Sequence, residues 1–317
     1  MAIIQKNVSL KNYSNFKIGG NASYFIEVSD IKELTGSLKK WREISKNLPE
    51  NEKKVFVLGG GTNVLFSDRG LKGLVIKNSI NDISKIGNII RVGAGVLVSE
   101  LLNYCIKNSL SGLEWAGGLP GTVGGAVRGN AGAYNGEIKD KIVEVESIDL
   151  DSLEVKKREK ARLGFDYRTS IFKKSAKNEI ITYIEFKLQN IQNYPIRRLI
   201  QEKINARKLR HPLEYPNLGS IFKNVPVEKF STEQMVELSQ YIKKDPFPVI
   251  PTAKLNFLAG LSGKRVGDAQ VSTKHTNFII NLGNATAEDV KELIKIIKDT
   301  IYQKFNVNLE EEIMYAN

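Results

Sequence analysis

Apolar and polar positions alternate along this chain in two periods. Ile31, Leu34 and Leu38 in "IKELTGSLKKWREIS" fall at helical spacing and predict an amphipathic helix. "KVFVLGG" (Lys54–Gly60) and "GLVIKN" (Gly73–Asn78) are short runs rich in Val and Ile, bounded by Gly and polar residues, as strands are. "IIRVGAGV" predicts another strand, and Leu97 to Asn108 a helix after it. Further on, "KIVEVESIDL", "LEVKKREK" and "EIITYIEFKLQN" alternate apolar and polar in the manner of half-buried strands.

The pattern changes near Asn193. "YPIRRLIQEKINARKLR" puts Pro195 at a helix start and continues as a basic amphipathic helix. "STEQMVELSQYIKK" opens with Ser231 and has Gln234 three residues on, a capping box. Thr286 and Asp289 open a longer helix whose Val290, Leu293, Ile294, Ile297 and Ile301 share one face. "FNVNLEEEIMYAN" predicts a last strand. With 317 residues, two domains are expected, residues 1–192 and 193–317, each α+β.

Two glycine-rich loops interrupt this pattern. Gly59, Gly60 and Gly61 follow a strand directly, so three residues without a Cβ can turn sharply and present N–H groups to a close neighbour. No Gly-Lys-Ser/Thr follows, and Val64 stands where a G-x-G-x-x-G motif needs its third glycine. In "GGLPGTVGGAVRGNAGAYN", Gly118, Gly121 and Gly124 recur every third residue, followed by Gly125, Gly129 and Gly132. The triplets are too few for collagen. Trp115, Leu119, Val123 and Val127 among them exclude a flexible linker. Such loops suit a long ligand with a phosphate group and an aromatic ring system, such as FAD.

Composition narrows the classes. The apolar fraction is 41% and the charged fraction 26%, as in soluble globular proteins. No apolar run approaches bilayer length, and no basic-then-apolar leader is recognisable, so a cytoplasmic protein without membrane insertion is expected. The single cysteine, Cys105, excludes a disulfide framework, and with two histidines no metal site is expected. The net charge is +12 (47 basic minus 35 acidic residues), but the basic residues are spread along the chain. That favours a Lys-rich surface with one site for an anionic small molecule over a nucleic-acid partner. No obligate protein partner is evident.

Six segments in order, "NFKIGGNASYFIEVSD", "VLGGGTNVLFSD", "GLPGTVGGAVRGNAGAYNGEI", "FDYRTSIFK", "ARKLRHPLEYPNLGSIFKN" and "GKRVGDAQVSTKHTNFIIN", together resemble the UDP-N-acetylenolpyruvoylglucosamine reductases, also called UDP-N-acetylmuramate dehydrogenases. The resemblance runs from about Asn15 to Glu312. It implies a two-part FAD-binding module of the vanillyl-alcohol-oxidase (PCMH) type over residues 1–192, with subdomains of about 1–78 and 79–192. A C-terminal α+β substrate-binding domain would follow over 193–317. The short path from Arg168 to Tyr194 resembles the shorter type, without the loop that places a Tyr over the substrate.

The reaction implied is reduction of the enolpyruvyl ether of a UDP-sugar, with FAD bound and NADPH as the hydride-donating co-substrate. Negative charge would develop on the inner carbon and its carboxylate, which calls for cationic stabilisation and a proton donor. By resemblance the proton donor is Ser220, the carboxylate partner Arg168, and the third catalytic group Glu312. The family pattern Leu-Glu-Pro-Glu-Val reads "LEEEI" here, with Glu311 in place of Pro. Glu310 and Glu312 would then share a strand face, so Glu310 is the competing carboxylate. The cofactor would lie against Gly59, Gly60, Gly61, Thr62 and Asn63, and against Gly118, Gly121, Thr122, Gly124, Gly125, Asn130, Ala131 and Gly132. Lys223, Asn224, Gln270, Lys274 and His275 would bind substrate, with Lys223 and Lys274 neutralising the diphosphate. Two further departures are Val225 in place of Pro and the absence of a Trp-Leu-Ile-Glu run in "PTAKLNFLAGLSGKRVG". The alternatives are another oxidase or dehydrogenase of the same flavin-binding superfamily, and a non-enzymatic polyanion-binding protein.

Overall fold

The computed structural model describes residues 3–316. Within them the chain forms two compact units that are interleaved in sequence. One comprises the described part of Met1–Val8 together with Ala22–Gly60 and Lys72–Arg207. The other takes Ser9–Asn21, Gly61–Leu71 and the chain from Lys208 onward. The final crossing therefore falls between Arg207 and Lys208, inside the helix Ile196–Arg210, whereas the sequence pattern changes near Gln192.

The first unit holds two larger sheets and two short two-stranded ones. In one of the larger two, the strands run Gln5–Ser9, Asn21–Val28, Leu71–Asn78, Val55–Leu58, with the last two parallel and in register Val55 to Leu74. The helix Ile31–Ser45 packs here through Leu34, Leu38 and Trp41, which are buried with Ile26, Val28, Leu74 and Ile76. Asp30 starts this helix by accepting from the Glu33 N–H at 2.8 Å, which satisfies one of its free donors. The second sheet is antiparallel, in the order Val155–Glu159, Ile142–Asp149, Glu179–Lys187, Ile89–Gly93, Ile83–Ile86. Its core includes Val92, Ile142, Val145, Ile184 and Phe186, the apolar positions of the alternating runs.

The second unit is built on four antiparallel strands in the order Asn217–Ser220, Phe278–Asn281, Ala269–Val271, Arg265–Val266. The helix Ala287–Phe305 buries Val290, Leu293, Ile294, Ile297 and Ile301 beside them. Thr286 and Asp289 form its capping box, and Asp68 accepts from the Ala287 N–H at 2.9 and 2.8 Å. The segment around Asn15 joins this unit because the Asn15 amide donates to the Asn217 carbonyl at 2.7 Å and Asn281 to the Phe16 carbonyl at 3.0 Å.

Three sequence expectations change. The stretch "FNVNLEEEIMYAN" forms a strand only at Met314–Ala316, parallel to Val64–Phe66; Asn317 lies outside the described residues. Asn306 in the left-handed region ends the preceding helix, and the chain runs without a regular ladder until Met314. The Ser231 helix is shorter than its apolar pattern, spanning Thr232–Leu238 before a 3-10 turn. The second glycine-rich loop contains a helical turn, Val123–Arg128, capped by Thr122. Val225 pairs with Ile250 in a short antiparallel ladder, where its N–H is compatible with pairing and a proline's missing one would not be. The segment without the Trp-Leu-Ile-Glu run still forms a helix, Thr252–Leu258, with Leu255 buried. Among the described residues no helix is long and apolar enough to cross a membrane.

Candidate functional site

In the first unit the two glycine loops touch each other. A Cβ on Gly60 would stand 2.7 Å from the Cα of Gly121, and one on Gly59 2.6 Å from the Thr122 hydroxyl. A Cβ on Gly124 would stand 2.7 Å from that of Ala94, and one on Gly118 3.0 Å from the Arg207 side chain. These glycines are thus required by protein neighbours, so that two loops and a strand end can close on one another. Gly125 is different: only the Thr122 hydroxyl comes near its bare face, at 3.5 Å. Thr122 orders this turn by accepting from the Gly125 N–H at 3.4 Å.

Asn130 is fully buried in the left-handed region, with φ 42°. Its amide donates to Glu137 and to the Asp166 carbonyl, each at 3.0 Å, and so joins the glycine loop to the turn carrying Arg168. Ala131 donates to the Ala126 carbonyl at 2.8 Å. Arg168 also has positive φ, 55°, and donates from Nη2 to the Gly132 carbonyl at 2.8 Å. The Lys173 ammonium holds the Arg168 carbonyl at 2.9 Å. The candidate arginine and the candidate cofactor loop therefore form one hydrogen-bonded assembly.

Arg207 was not singled out in the sequence, yet it is only 8% exposed. Its Nε donates to the Gly117 carbonyl at 2.9 Å, and its guanidinium lies 5.4 Å from the centre of the Tyr134 ring. Its Nη2 is buried with no partner. Burial lowers its pKa, Tyr134 opposes that, and the like charge of Arg168 adds to it. An unpaired buried guanidinium N–H is costly, so it offers a place for an acceptor from outside the chain. The available signal was spacing: Ile196, Ile200 and Arg207 recur on the buried face of one helix.

In the second unit Gly61, with φ 64°, lies so close to the Tyr13 carbonyl that no side chain fits. Its own carbonyl accepts from the Asn15 N–H at 3.0 Å. In the second unit the N–H groups of Gly61 and Thr62 have no main-chain acceptor outside the regular ladders among the described residues. Amides of this kind fit a phosphate-bearing cofactor.

Ser220 ends the strand Asn217–Ser220 opposite Phe278 and is half-buried. The Asn277 amide brackets the next residues, accepting from the Phe222 N–H at 3.1 Å and donating to the Phe222 carbonyl at 2.8 Å. Residues 310–312 run beside them. The Lys223 N–H donates to the Glu310 carbonyl at 2.9 Å, and the Glu312 N–H to the Ile221 carbonyl at 2.8 Å. Leu309 and Ile313 are buried, while Glu310 is exposed and pairs with the Lys223 ammonium. Glu312 is half-buried, and the Asn63 amide donates to its carbonyl at 3.0 Å. Glu311, where the family pattern has Pro, receives Lys298 at 2.9 Å and the Tyr315 hydroxyl.

The other substrate candidates have protein contacts of their own. The Asn224 side-chain oxygen accepts from the Thr252 N–H at 3.2 Å, and Gln270 donates to the Gly263 carbonyl at 3.2 Å. Lys274 donates to the Lys208 carbonyl at 3.0 Å and lies 3.4 Å from Glu214. His275 stacks edge-on with His211 and Phe278, and its Nδ1 is buried without a partner. Burial, helped by the positive charge of Lys243, holds its pKa down to about 4. Ser220, Lys223, Glu310, Glu312 and Asn63 are thus linked by neighbouring strand segments, with His275 beside Phe278, the pairing partner of Ser220. No group of side chains among the described residues is arranged to hold a metal.

Comparison with known proteins gives this arrangement a relationship. A family model described as "UDP-N-acetylenolpyruvoylglucosamine reductase, C-terminal domain" matches residues 211–316, and one described as "FAD binding domain" matches residues 35–156. A UDP-N-acetylenolpyruvoylglucosamine reductase of Clostridium novyi is 37% identical over 98% of this chain and 91% of its own length. The chain belongs to the UDP-N-acetylenolpyruvoylglucosamine reductase family. A reductase of that name from Caldicellulosiruptor saccharolyticus is 38% identical, again over 98% of this chain and 91% of its own. The crystal structure of the UDP-N-acetylenolpyruvylglucosamine reductase of Thermus caldophilus superposes with a TM-score of 0.75 at 30% identity, covering 100% of both chains. The fold is accordingly α+β, an FAD-binding domain joined to the reductase family's C-terminal domain.

Proposed function

We infer that this protein reduces UDP-N-acetylglucosamine enolpyruvate to UDP-N-acetylmuramate in peptidoglycan precursor synthesis. The observation that carries this is the chain-long likeness to reductases of that name, which spans both the FAD-binding and the C-terminal parts. It is an FAD-dependent oxidoreductase that uses NADPH. NADPH and nucleotide-linked sugars place the reaction in the cytoplasm.

FAD, when bound, passes reducing equivalents from NADPH to the substrate. The N–H groups of Gly61 and Thr62 suit its diphosphate. The turn from Gly118 to Gly132 is the second proposed contact, ordered by the Thr122 cap and by Asn130. Residues 1–192 are assigned to cofactor binding and 193–317 to substrate binding.

Arg168 is the proposed partner of the substrate carboxylate. A guanidinium matches that group with two parallel hydrogen bonds and lowers the cost of charge building up on the inner carbon. Ser220 gives its proton to that carbon. A serine hydroxyl is a weak acid, but an enolate-like carbanion is a base strong enough to take it. The serine then needs its proton restored, and Glu312 is the candidate for that. Its half-burial favours it over the exposed, Lys223-paired Glu310. Lys223 and Lys274 hold only partly exposed ion pairs, which contribute little on their own, so a diphosphate can compete for both ammonium groups.

The test is consumption of NADPH in the presence and absence of the enolpyruvyl UDP-sugar, with the product identified by mass. Substrate-dependent consumption yielding a product two hydrogens heavier supports the reading. Ser220→Ala should lose turnover yet still let NADPH reduce the flavin. Consumption indifferent to the substrate would refute the assignment.

A further inference from the structure

The strands Val55–Leu58 and Leu71–Asn78 run parallel and end together, with Leu58 opposite Lys77. Leu58 leads directly into Gly59 and Gly60. Val55, Val57, Leu74 and Ile76 pack into the core of the helix Ile31–Ser45. The period of two therefore puts Leu58 and Lys77, with Phe56 and Val75, on the opposite face of the sheet. Neighbouring loops close around this end. A Cβ on Gly59 would stand 2.6 Å from the Thr122 hydroxyl, and one on Gly95 2.6 Å from the Cα of Ser79, two residues past Lys77. The Val123 N–H donates to the Val96 carbonyl at 2.9 Å, which ties the loop after Gly95 to the glycine-rich turn.

Lys77 is half-buried at this junction. Among the described residues its ammonium has neither a hydrogen bond nor an ion pair. Glu27 attracts it from beyond ion-pair distance, and that carboxylate is itself engaged by the Ser79 hydroxyl at 2.5 Å. Burial lowers the pKa of Lys77, and the attraction of Glu27 opposes this only in part. A cation drawn out of water without a partner is costly, so the position suits an anion from outside the chain. We propose that Lys77 binds the diphosphate of the flavin cofactor, as the cationic partner of the glycine loop that begins at Gly59. The proposal rests on the reading of that loop as part of the cofactor site. A lysine ammonium is a compact point charge, suited to a diphosphate and not to the uncharged ring system of the flavin. The unpaired charge destabilises the flavin-free chain, and the diphosphate removes that cost.

Lys77→Met removes the charge and keeps most of the length. Flavin-free protein is titrated with FAD, and binding is followed by the quenching of flavin fluorescence. The variant should bind FAD about ten- to a hundredfold more weakly, the usual loss when a hydrogen bond to a charged group is removed. Thermal melting without flavin gives a second readout. The flavin-free variant should melt at or above the temperature of the unmodified protein, while the rise on adding FAD should shrink. In the loaded proteins the phosphorus resonances of FAD should differ between the two, with the visible absorption band unmoved. If the unmodified protein takes up no FAD, the cofactor reading itself fails. If it does, and Lys77→Met binds FAD within about threefold as tightly, only the role of Lys77 fails. A flavin-free variant that melts lower, with an undiminished rise on adding FAD, would mean that Lys77 serves the fold through Glu27, and would overturn the proposal. So would a moved absorption band with unmoved phosphorus resonances, which would put Lys77 at the ring. Should Lys77→Met not accumulate, Lys77→Gln is measured in the same way.

Discussion

Arg168 donates a guanidinium N–H to the main-chain carbonyl of Gly132 at 2.8 Å. The bond ties the proposed carboxylate partner to the loop proposed to line the cofactor, and it occupies one of five donors. A lysine at this position has no fork with which to hold Gly132 and a carboxylate together. Arg168→Lys is expected to lower kcat/KM about 10²-fold, the usual loss when one donor to a developing anion is removed. Steady-state kinetics with the enolpyruvyl substrate check it, and a change below about threefold would speak against the role.

The tight contact between the two glycine loops sets a second expectation. Gly60→Ala pushes a methyl group to 2.7 Å from the Gly121 Cα, where backbone must move. It should cost about 1–3 kcal/mol and weaken flavin retention. Gly36 provides the control: it lies within the helix Ile31–Ser45 with no atom within 4 Å of an added Cβ. Gly36→Ala should stabilise by about 0.5–1 kcal/mol through helix propensity. Thermal melting with flavin release read in parallel separates the two, and equal effects of the same sign would contradict this packing.

Much of this framework was legible beforehand, and for physical reasons. The helix at Ile31–Ser45 and the helix beginning after Thr286 have long apolar faces and side-chain caps, so local sequence decides them. Less was legible where tertiary contacts decide. The glycines invite the reading that a ligand needs bare backbone, but the neighbours of Gly60, Gly118 and Gly124 are protein atoms that only the fold brings together. The interleaving of the two units was equally hidden, because Asn15 and Asp68 act on partners about 200 residues away (|i−j| of 202 and 219). Arg207 showed its spacing but not its unpaired Nη2.

His275 predicts a pH dependence of stability. Its pKa is depressed, from 6.5 to about 4, so as pH falls the unfolded chain takes up a proton before the folded one does. The stability is fully present above pH 6.5 and is lost progressively as pH falls toward about 4. A gap of that width is worth about 3 kcal/mol at most. His275→Gln should flatten the fall in urea midpoint across this window. An unchanged slope would mean that other groups carry it.

Cys105 is buried, and burial, with Glu114 adding to it, pushes its thiol up to about 12. The thiolate is the reactive form, so the native protein should resist thiol reagents. Labelling should track unfolding as denaturant is raised. Rapid labelling of the native protein would contradict the burial of this residue.

The most direct measurement is a visible absorption spectrum of the purified protein, recorded without oxygen before and after each addition. A yellow flavin spectrum is expected, bleached by NADPH and restored by the enolpyruvyl ether of UDP-N-acetylglucosamine but not by UDP-N-acetylglucosamine itself. A protein that neither carries flavin nor takes it up, or a bleached flavin that the enolpyruvyl ether fails to restore, would contradict the account.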